Sequence, residues 1–204
     1  MSQINFGTWE SLTVGIRLDE GVILAGTKKV AYGHMIMGEG GKNIFVLDNI
    51  GFGFAGHVSD LQSLIKEIRY EMNYLKLQLN RPPTIHSIAN RLGLLLYSRK
   101  FFPYITFAVV AGVDPVTKKS ILYSLDPVGS VMEEDYAASG FSMDIVTGVL
   151  EDGYDPKLSI EEGKELILRT MKVAAKRDIY SSKKIDLAIL TKDKAIEETI
   201  TLDI

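Results

Sequence analysis

The run Ser11-Leu-Thr-Val-Gly-Ile-Arg-Leu18, Asp19-Glu-Gly21, Val22-Ile-Leu-Ala-Gly-Thr27 decides how this chain begins to fold, and its continuation through Lys42-Asn43-Ile44 to Phe54-Ala55-Gly56 decides what the fold presents. Leu12–Leu18 and Val22–Thr27 are rich in aliphatic residues that suit a half-buried pleated surface, and the loop between them ends in Gly21, which accepts the positive φ such a loop commonly needs. The pattern predicts a hairpin. Asn43–Leu47 and Ile50–Ala55 predict a second strand pair around Asp48-Asn49, two turn formers. The first part of the chain is therefore expected to be antiparallel sheet.

Beyond Gly56 the apolar period lengthens. Val58, Leu61, Ile65, Ile68, Met72, Leu75 and Leu79 fall on one face of a helix that stops before Pro82-Pro83. Thr84 is placed to cap a second helix with Ile85, Ile88, Leu92 and Leu95 on its stripe. Ile105–Val113 and Ile121–Leu125 return to strand across the loop Asp114–Lys119, and a short helix is expected from Met143 to Glu151. Ser159 and Glu162 have capping-box spacing at the start of a helix running to about Asp178, and strands at Ile185–Leu190 and about Ile196–Leu202 close the chain. This order of elements suits two stacked sheets with helices outside each; periodicity alone stops at mixed α and β layers.

A chain of 204 residues with 46% hydrophobic content can bury one sizeable core, and its length favours a single domain. The formal charge of -3 offers no basic excess to neutralise phosphates, so nucleic acid is not an expected partner. The absence of cysteine excludes disulfides, thiolate metal sites and a cysteine nucleophile together. Met1–Glu10 has neither a basic start nor an apolar run, and no segment approaches the roughly 20 apolar residues of a membrane helix. No membrane partner is expected, and the expected location is cytoplasmic. His34, His57 and His86 lack the spacing of a histidine metal site, so neither a metal nor another cofactor is expected. Gly38-Glu-Gly-Gly41 has no phosphate-loop pattern around it and reads as a surface turn.

The stretch from Ser11 to Gly56 also resembles the active-site framework of proteasome β-type subunits. In that family the mature chain begins Thr-Thr-Thr-Val-Gly, the next strand ends Ala-Ala-Asp-Arg-Arg, and a Lys-Lys-Ile segment precedes an Ala-Gly turn. Ser98-Arg-Lys-Phe-Phe-Pro-Tyr104, Leu122-Tyr-Ser-Leu-Asp-Pro-Val-Gly129, Glu133-Glu-Asp-Tyr136, Gly148-Val-Leu-Glu-Asp152 and Ile185-Asp-Leu-Ala-Ile189 extend the similarity in the same order almost to the C-terminus. The resemblance implies an α+β fold, the four-layer αββα sandwich of N-terminal nucleophile hydrolases. It also implies a division into residues 1–10, an extension like an unprocessed propeptide, and a β-type domain over residues 11–204.

Aligned without gaps as far as Asn43, the resemblance puts the family's nucleophilic threonine on Ser11, its aspartate on Thr27 and its lysine on Asn43. Gly56 corresponds to the glycine whose N–H stabilises the oxyanion, and Asp178 and Ser181 to the supporting aspartate and serine. The family's other supporting serine falls on Phe141, whose ring cannot donate a hydrogen bond. Phe54 lies where active relatives shape the floor of the specificity pocket; it either fills that pocket or belongs to the sheet core.

An N-terminal nucleophile depends on its own α-amino group, with an ordinary pKa of about 7.7–8.0, to take the hydroxyl proton. Glu10 precedes Ser11, so the Ser11 nitrogen is an amide and no base while the extension, expected to be retained, remains attached. Asn43 brings no cation to lower a hydroxyl pKa, and Thr27 no carboxylate to orient one. Gly7-Thr8 reproduces the junction at which family members are cut, which makes Thr8 the runner-up nucleophile. On the same strand Thr8 would stand about 10 Å from Ser11 and on the opposite face. Lys28, Lys29 and Lys42 are near the family's charged positions but out of register with them, and are expected as surface lysines.

The expectation is a catalytically silent, archaeal-type β subunit with no catalytic residue of its own. By resemblance it supports assembly of a proteasome core particle, a threonine-type endopeptidase complex that degrades proteins, in heptameric β rings stacked with rings of α subunits and with a catalytic β subunit encoded elsewhere. The alternatives are an active threonine- or serine-type endopeptidase subunit after processing at Thr8 or Ser11, and a stand-alone sandwich-fold binding module.

Overall fold

A computed structural model of the chain describes residues 11–32 and 35–204, so Thr8 with the rest of residues 1–10, and His34, lie outside the described residues. The opening hairpin is β1 (Leu12–Leu18) and β2 (Gly21–Thr27); a ribbon of β3 (Val30–Tyr32) and β4 (Met35–Gly38) follows. The second hairpin is β5 (Ile44–Leu47) and β6 (Ile50–Gly56). Then come α1 (Val58–Leu79), α2 (Ile85–Ser98), β7 (Thr106–Val113), β8 (Ser120–Leu125), β9 (Val131–Glu133) and β10 (Tyr136–Gly140). The chain closes with α3 (Met143–Gly153), α4 (Ile160–Arg177), β11 (Lys184–Thr191) and β12 (Ala195–Thr201). Two five-stranded antiparallel sheets result, ordered β10-β1-β2-β11-β12 and β5-β6-β7-β8-β9.

Strand alternation sorts the side chains into layers. Leu12, Val14 and Ile16 of β1 pack with Leu187 against Val146 and Leu150 of α3 and Ile167 and Met171 of α4. Phe52 and Phe54 of β6 pack with Val110 against Leu64 and Ile68 of α1 and Ile88 and Leu92 of α2. Leu24, Val109, Leu122 and Leu190 fill the space between the sheets. The architecture is thus the α+β, αββα sandwich implied by the resemblance.

The sheets approach closely because β1 and β6 turn small residues toward each other. A Cβ on Gly53 would overlap Thr13 Cγ2, and one on Gly15 would come within 2.7 Å of Leu24 Cδ2. Thr13 Oγ1 donates to the Phe54 carbonyl at 2.8 Å, a bond between the two sheets.

Helix ends follow the expected capping chemistry. Thr84 Oγ1 accepts from Ser87 N at 3.1 Å, and Ser159 and Glu162 form the reciprocal capping box. Two ends of the predicted α1 stripe differ: Val58 and Leu79 are exposed where the helix ends run past the sheet, while Leu64 is buried. The strands β3, β4, β9 and β10 have no clear counterpart in the sequence pattern. β3 and β9 are only 3 residues long, too short to display a period. β10, Tyr136-Ala-Ala-Ser-Gly140, is dominated by small residues with little β preference.

Candidate functional site

Ser11 lies at the head of β1, where the ends of the two sheets meet, and it is buried. Its Oγ accepts a hydrogen bond from the Gly56 N–H at 3.1 Å. Gly56 adopts φ +147, and a Cβ there would overlap the Ile105 carbonyl oxygen, so only glycine lets β6 end with its amide facing Ser11. Gly140 has the same role at the end of β10: at φ +116 a Cβ would overlap Ser11 O. The Phe141 N–H then donates to Ser11 O at 3.3 Å.

Thr27 and Asn43 are brought to this corner as well. Thr27 Oγ1 accepts from Leu12 N at 3.0 Å, and Asn43 Nδ2 donates to Thr27 O at 2.7 Å. Asn43 O accepts from Phe54 N at 2.9 Å, which ties the start of β5 to β6. Both side chains are buried, and both spend their polar groups on the main chain of the corner. They brace Ser11 and leave it electrically neutral.

The nearby cations are engaged elsewhere. Lys28 Nζ pairs with both Asp186 oxygens at 2.8 and 2.9 Å, and Asp186 also accepts from Thr199 Oγ1 at 2.7 Å. The Lys28 and Asp186 side chains are only 17% and 13% exposed, which corrects the expectation of a plain surface lysine. Desolvation makes such a pair costly to break from one side, because the remaining charge would be left unpaired. Lys29 Nζ donates to the carbonyls of Ile179 and Ser181, each at 2.7 Å, and Lys42 Nζ pairs with Glu197 at 3.0 Å. Among the described residues no charged side chain is hydrogen-bonded to Ser11 Oγ.

Asp178 is a hub at the end of α4. Its carboxylate accepts from Tyr180 N and Ser181 Oγ, both at 2.8 Å, and from Ser142 Oγ. These donors offset the unfavourable place of a carboxylate at a helix C-terminus. Sequence reasoning missed Ser142: by alignment the supporting position fell on Phe141, but Gly140 lets the chain turn so that the next residue supplies the hydroxyl. Phe141 instead stands half exposed with its ring edge-on to Tyr180, centroids 4.8 Å apart. The only signal for Ser142 was its adjacency to Phe141.

Phe54 is resolved in favour of the sheet core. Its side chain is buried on the helix-facing side, with Phe52 at 6.5 Å and Phe45 at 6.1 Å between ring centroids. Among the described residues no group of three or more His, Cys, Asp or Glu could hold a metal ion, and no helix is long and apolar enough to cross a membrane. His86 is occupied by Tyr123 OH at 3.0 Å and by the Asn90 side chain at 2.8 Å.

The geometry therefore joins a buried serine hydroxyl to a main-chain N–H of the kind that stabilises an oxyanion, within a neutral frame. Comparison with known proteins bears on the family. The model of the proteasome subunit family matches residues 11–190. The chain is 37% identical over 191 residues to proteasome subunit beta 2 of Thermofilum pendens, with 93% of each chain covered. It is 36% identical over 192 residues to proteasome subunit beta 2 of Pyrobaculum aerophilum, with 94% of each covered. It is 34% identical to proteasome subunit beta 1 of Hyperthermus butylicus, with 93% of this chain and 95% of the relative covered. On fold, site framework and full-length likeness together, the chain belongs to the proteasome subunit family, among its β-type members.

Proposed function

We propose that the chain is a β-type subunit of a proteasome core particle whose own Ser11 corner does not cleave peptide bonds. The carrying observation is the neutral frame: Thr27 and Asn43 bond to the main chain, while Lys28, Lys29 and Lys42 are held by Asp186, by carbonyls and by Glu197. A hydroxyl nucleophile needs a base, and a nearby cation to lower its pKa; among the described residues neither is bonded to it. The role is then architectural. The subunit takes a place in a heptameric β ring beside a catalytic β subunit and against α subunits, in a cytoplasmic particle that degrades proteins by threonine-type chemistry. Residues 1–10 precede a β-type domain of residues 11–204. In that domain Ser11, Thr27 and Asn43 occupy the family's chemical positions without its chemistry, and Gly56, Asp178 and Ser181 keep the scaffold.

A second reading is an active threonine- or serine-type subunit released by processing at Thr8 or Ser11. The comparisons favour it, because likeness over nearly the whole length is to a family whose chemistry is peptide hydrolysis, and the Gly56 N–H already stands at hydrogen-bond distance from Ser11 Oγ. Reconstitution with α subunits and a second β subunit from the same source separates the two. The first reading expects residues ahead of Ser11 to be retained and peptidase activity to be unchanged in Ser11→Ala. A chain beginning at Thr8 or Ser11 that takes a covalent inhibitor supports the second. A protein that stays outside the large particle in size-exclusion chromatography contradicts both and leaves the stand-alone binding module.

A further inference from the structure

The ribbon of β3 and β4 is rooted at the Ser11 corner, because it is the excursion the chain makes between Thr27 and Asn43. Thr27 Oγ1 accepts from Leu12 N at 3.0 Å on the way out. On the way back Gly41 N donates to Lys28 O at 2.9 Å, and Asn43 Nδ2 to Thr27 O at 2.7 Å. The register sets Val30 against Gly38 and Tyr32 against Met35, so Met37 lies toward the root and Met35 toward the tip.

β4 is apolar where solvent would favour polar side chains. Met35, Ile36 and Met37 are 60%, 59% and 62% exposed. By strand alternation Met35 and Met37 share one face and Ile36 the other, so both faces of the ribbon present bare apolar surface. Among the described residues none of the three packs into a core cluster. A ribbon of two strands is marginally stable in water by itself, and a covered methionine face would add the burial that it lacks.

The sequence supplies a cover at the root of this ribbon. Residues 1–10 lie outside the described residues, but they join the fold at Ser11, and they include Trp9, the sole tryptophan of the chain. Two residues of extended chain span about 7 Å, and the three from Thr27 to Val30 about 10 Å. With Leu12 bonded to Thr27, these short spans bring an indole at position 9 within reach of the ribbon root. A tether this short also gives Trp9 an effective concentration at the ribbon that no untethered partner has. Thioethers pack favourably against aromatic rings, which matches the two methionines of one face to that side chain.

We propose that Trp9, still joined through Glu10 to Ser11, packs on the Met35 and Met37 face of β4 and so straps the extension over the Ser11 corner. A peptide approaching Ser11 Oγ and the Gly56 N–H would first have to displace the indole. The inference rests on the reading that residues ahead of Ser11 are retained.

The test is intact mass together with Trp9 fluorescence, measured on the full chain alone and in the reconstituted particle. In the chain alone Trp9 emission is expected to be blue-shifted, with acrylamide quenching at least about threefold weaker than for N-acetyltryptophanamide. The double variant Met35→Glu, Met37→Glu is expected to restore the emission and quenching of a solvent-exposed indole. Ile36→Glu, equally exposed but on the other face, is expected to leave both unchanged. A chain trimmed to begin at Ser11 contradicts retention and this inference with it. With retention shown by mass, three results overturn the strap alone: solvent-like Trp9 emission, an equal response to Ile36→Glu, or a blue shift that arises only on assembly and so assigns the ribbon to a neighbouring subunit.

Discussion

Gly56 joins the two sheets at the corner where Ser11 is buried, and a single methyl group shows how tightly. With φ +147 and the Ile105 carbonyl in the way, Gly56→Ala is expected to cost about 3 kcal/mol in denaturant unfolding, combining a strained dihedral with displaced backbone. Ser11→Ala removes only the acceptor of the Gly56 amide and should cost about 1 kcal/mol by the same measurement. Much of this corner was legible through the family resemblance, whose alignment gave Ser11, Thr27, Asn43 and Gly56 as positions of one site. Ser142 and the Lys28–Asp186 pair were not. One depends on the turn after Gly140 moving the hydroxyl by one residue, and the other on β2 and β11 becoming neighbours although their residues are far apart in the chain.

At the scale of elements, Asp114 shows one carboxylate organising a helix start and a loop together. It accepts the orphan N–H of Ile85, the first residue of α2, while Thr84 caps the same turn, and it fixes the Asp114–Lys119 loop. Burial alone would raise its pKa, but the N–H groups of Thr117, Val116 and Ile85 outweigh that and hold it below the ordinary value of 3.8. A lowered folded-state value stabilises the fold above the ordinary value, and the benefit is lost as pH falls through the lowered one. Asp114→Asn is therefore expected to be less stable by about 1.5–3 kcal/mol at neutral pH, and the difference from the parent chain should shrink below about pH 4 in pH-dependent unfolding. A difference that is constant with pH contradicts that account. The helices and long strands were readable because their periods run over many residues; β3 and β9 were not, since 3 residues carry no period, although each pairs with the strand next to it in the chain.

For the whole molecule, the thin seam between the sheets is decisive. Gly15, Gly51 and Gly53 let β1, β2 and β6 meet, and Thr13 bonds across to Phe54 O. Gly53→Ala puts a methyl group against Thr13 Cγ2 and is expected to cost about 1–3 kcal/mol and to lower the yield of assembled particle, read by thermal unfolding and size-exclusion chromatography. The seam also fixes Ser11 relative to Gly56, whose N–H donates to Ser11 Oγ, and among the described residues no charged side chain is hydrogen-bonded to that oxygen. The most direct measurement is intact-mass analysis of this polypeptide in the reconstituted particle after treatment with a covalent active-site inhibitor. The account predicts an unmodified chain that still carries residues ahead of Ser11, while a catalytic β partner takes the adduct. An adduct on a terminus beginning at Ser11 or Thr8 would contradict it.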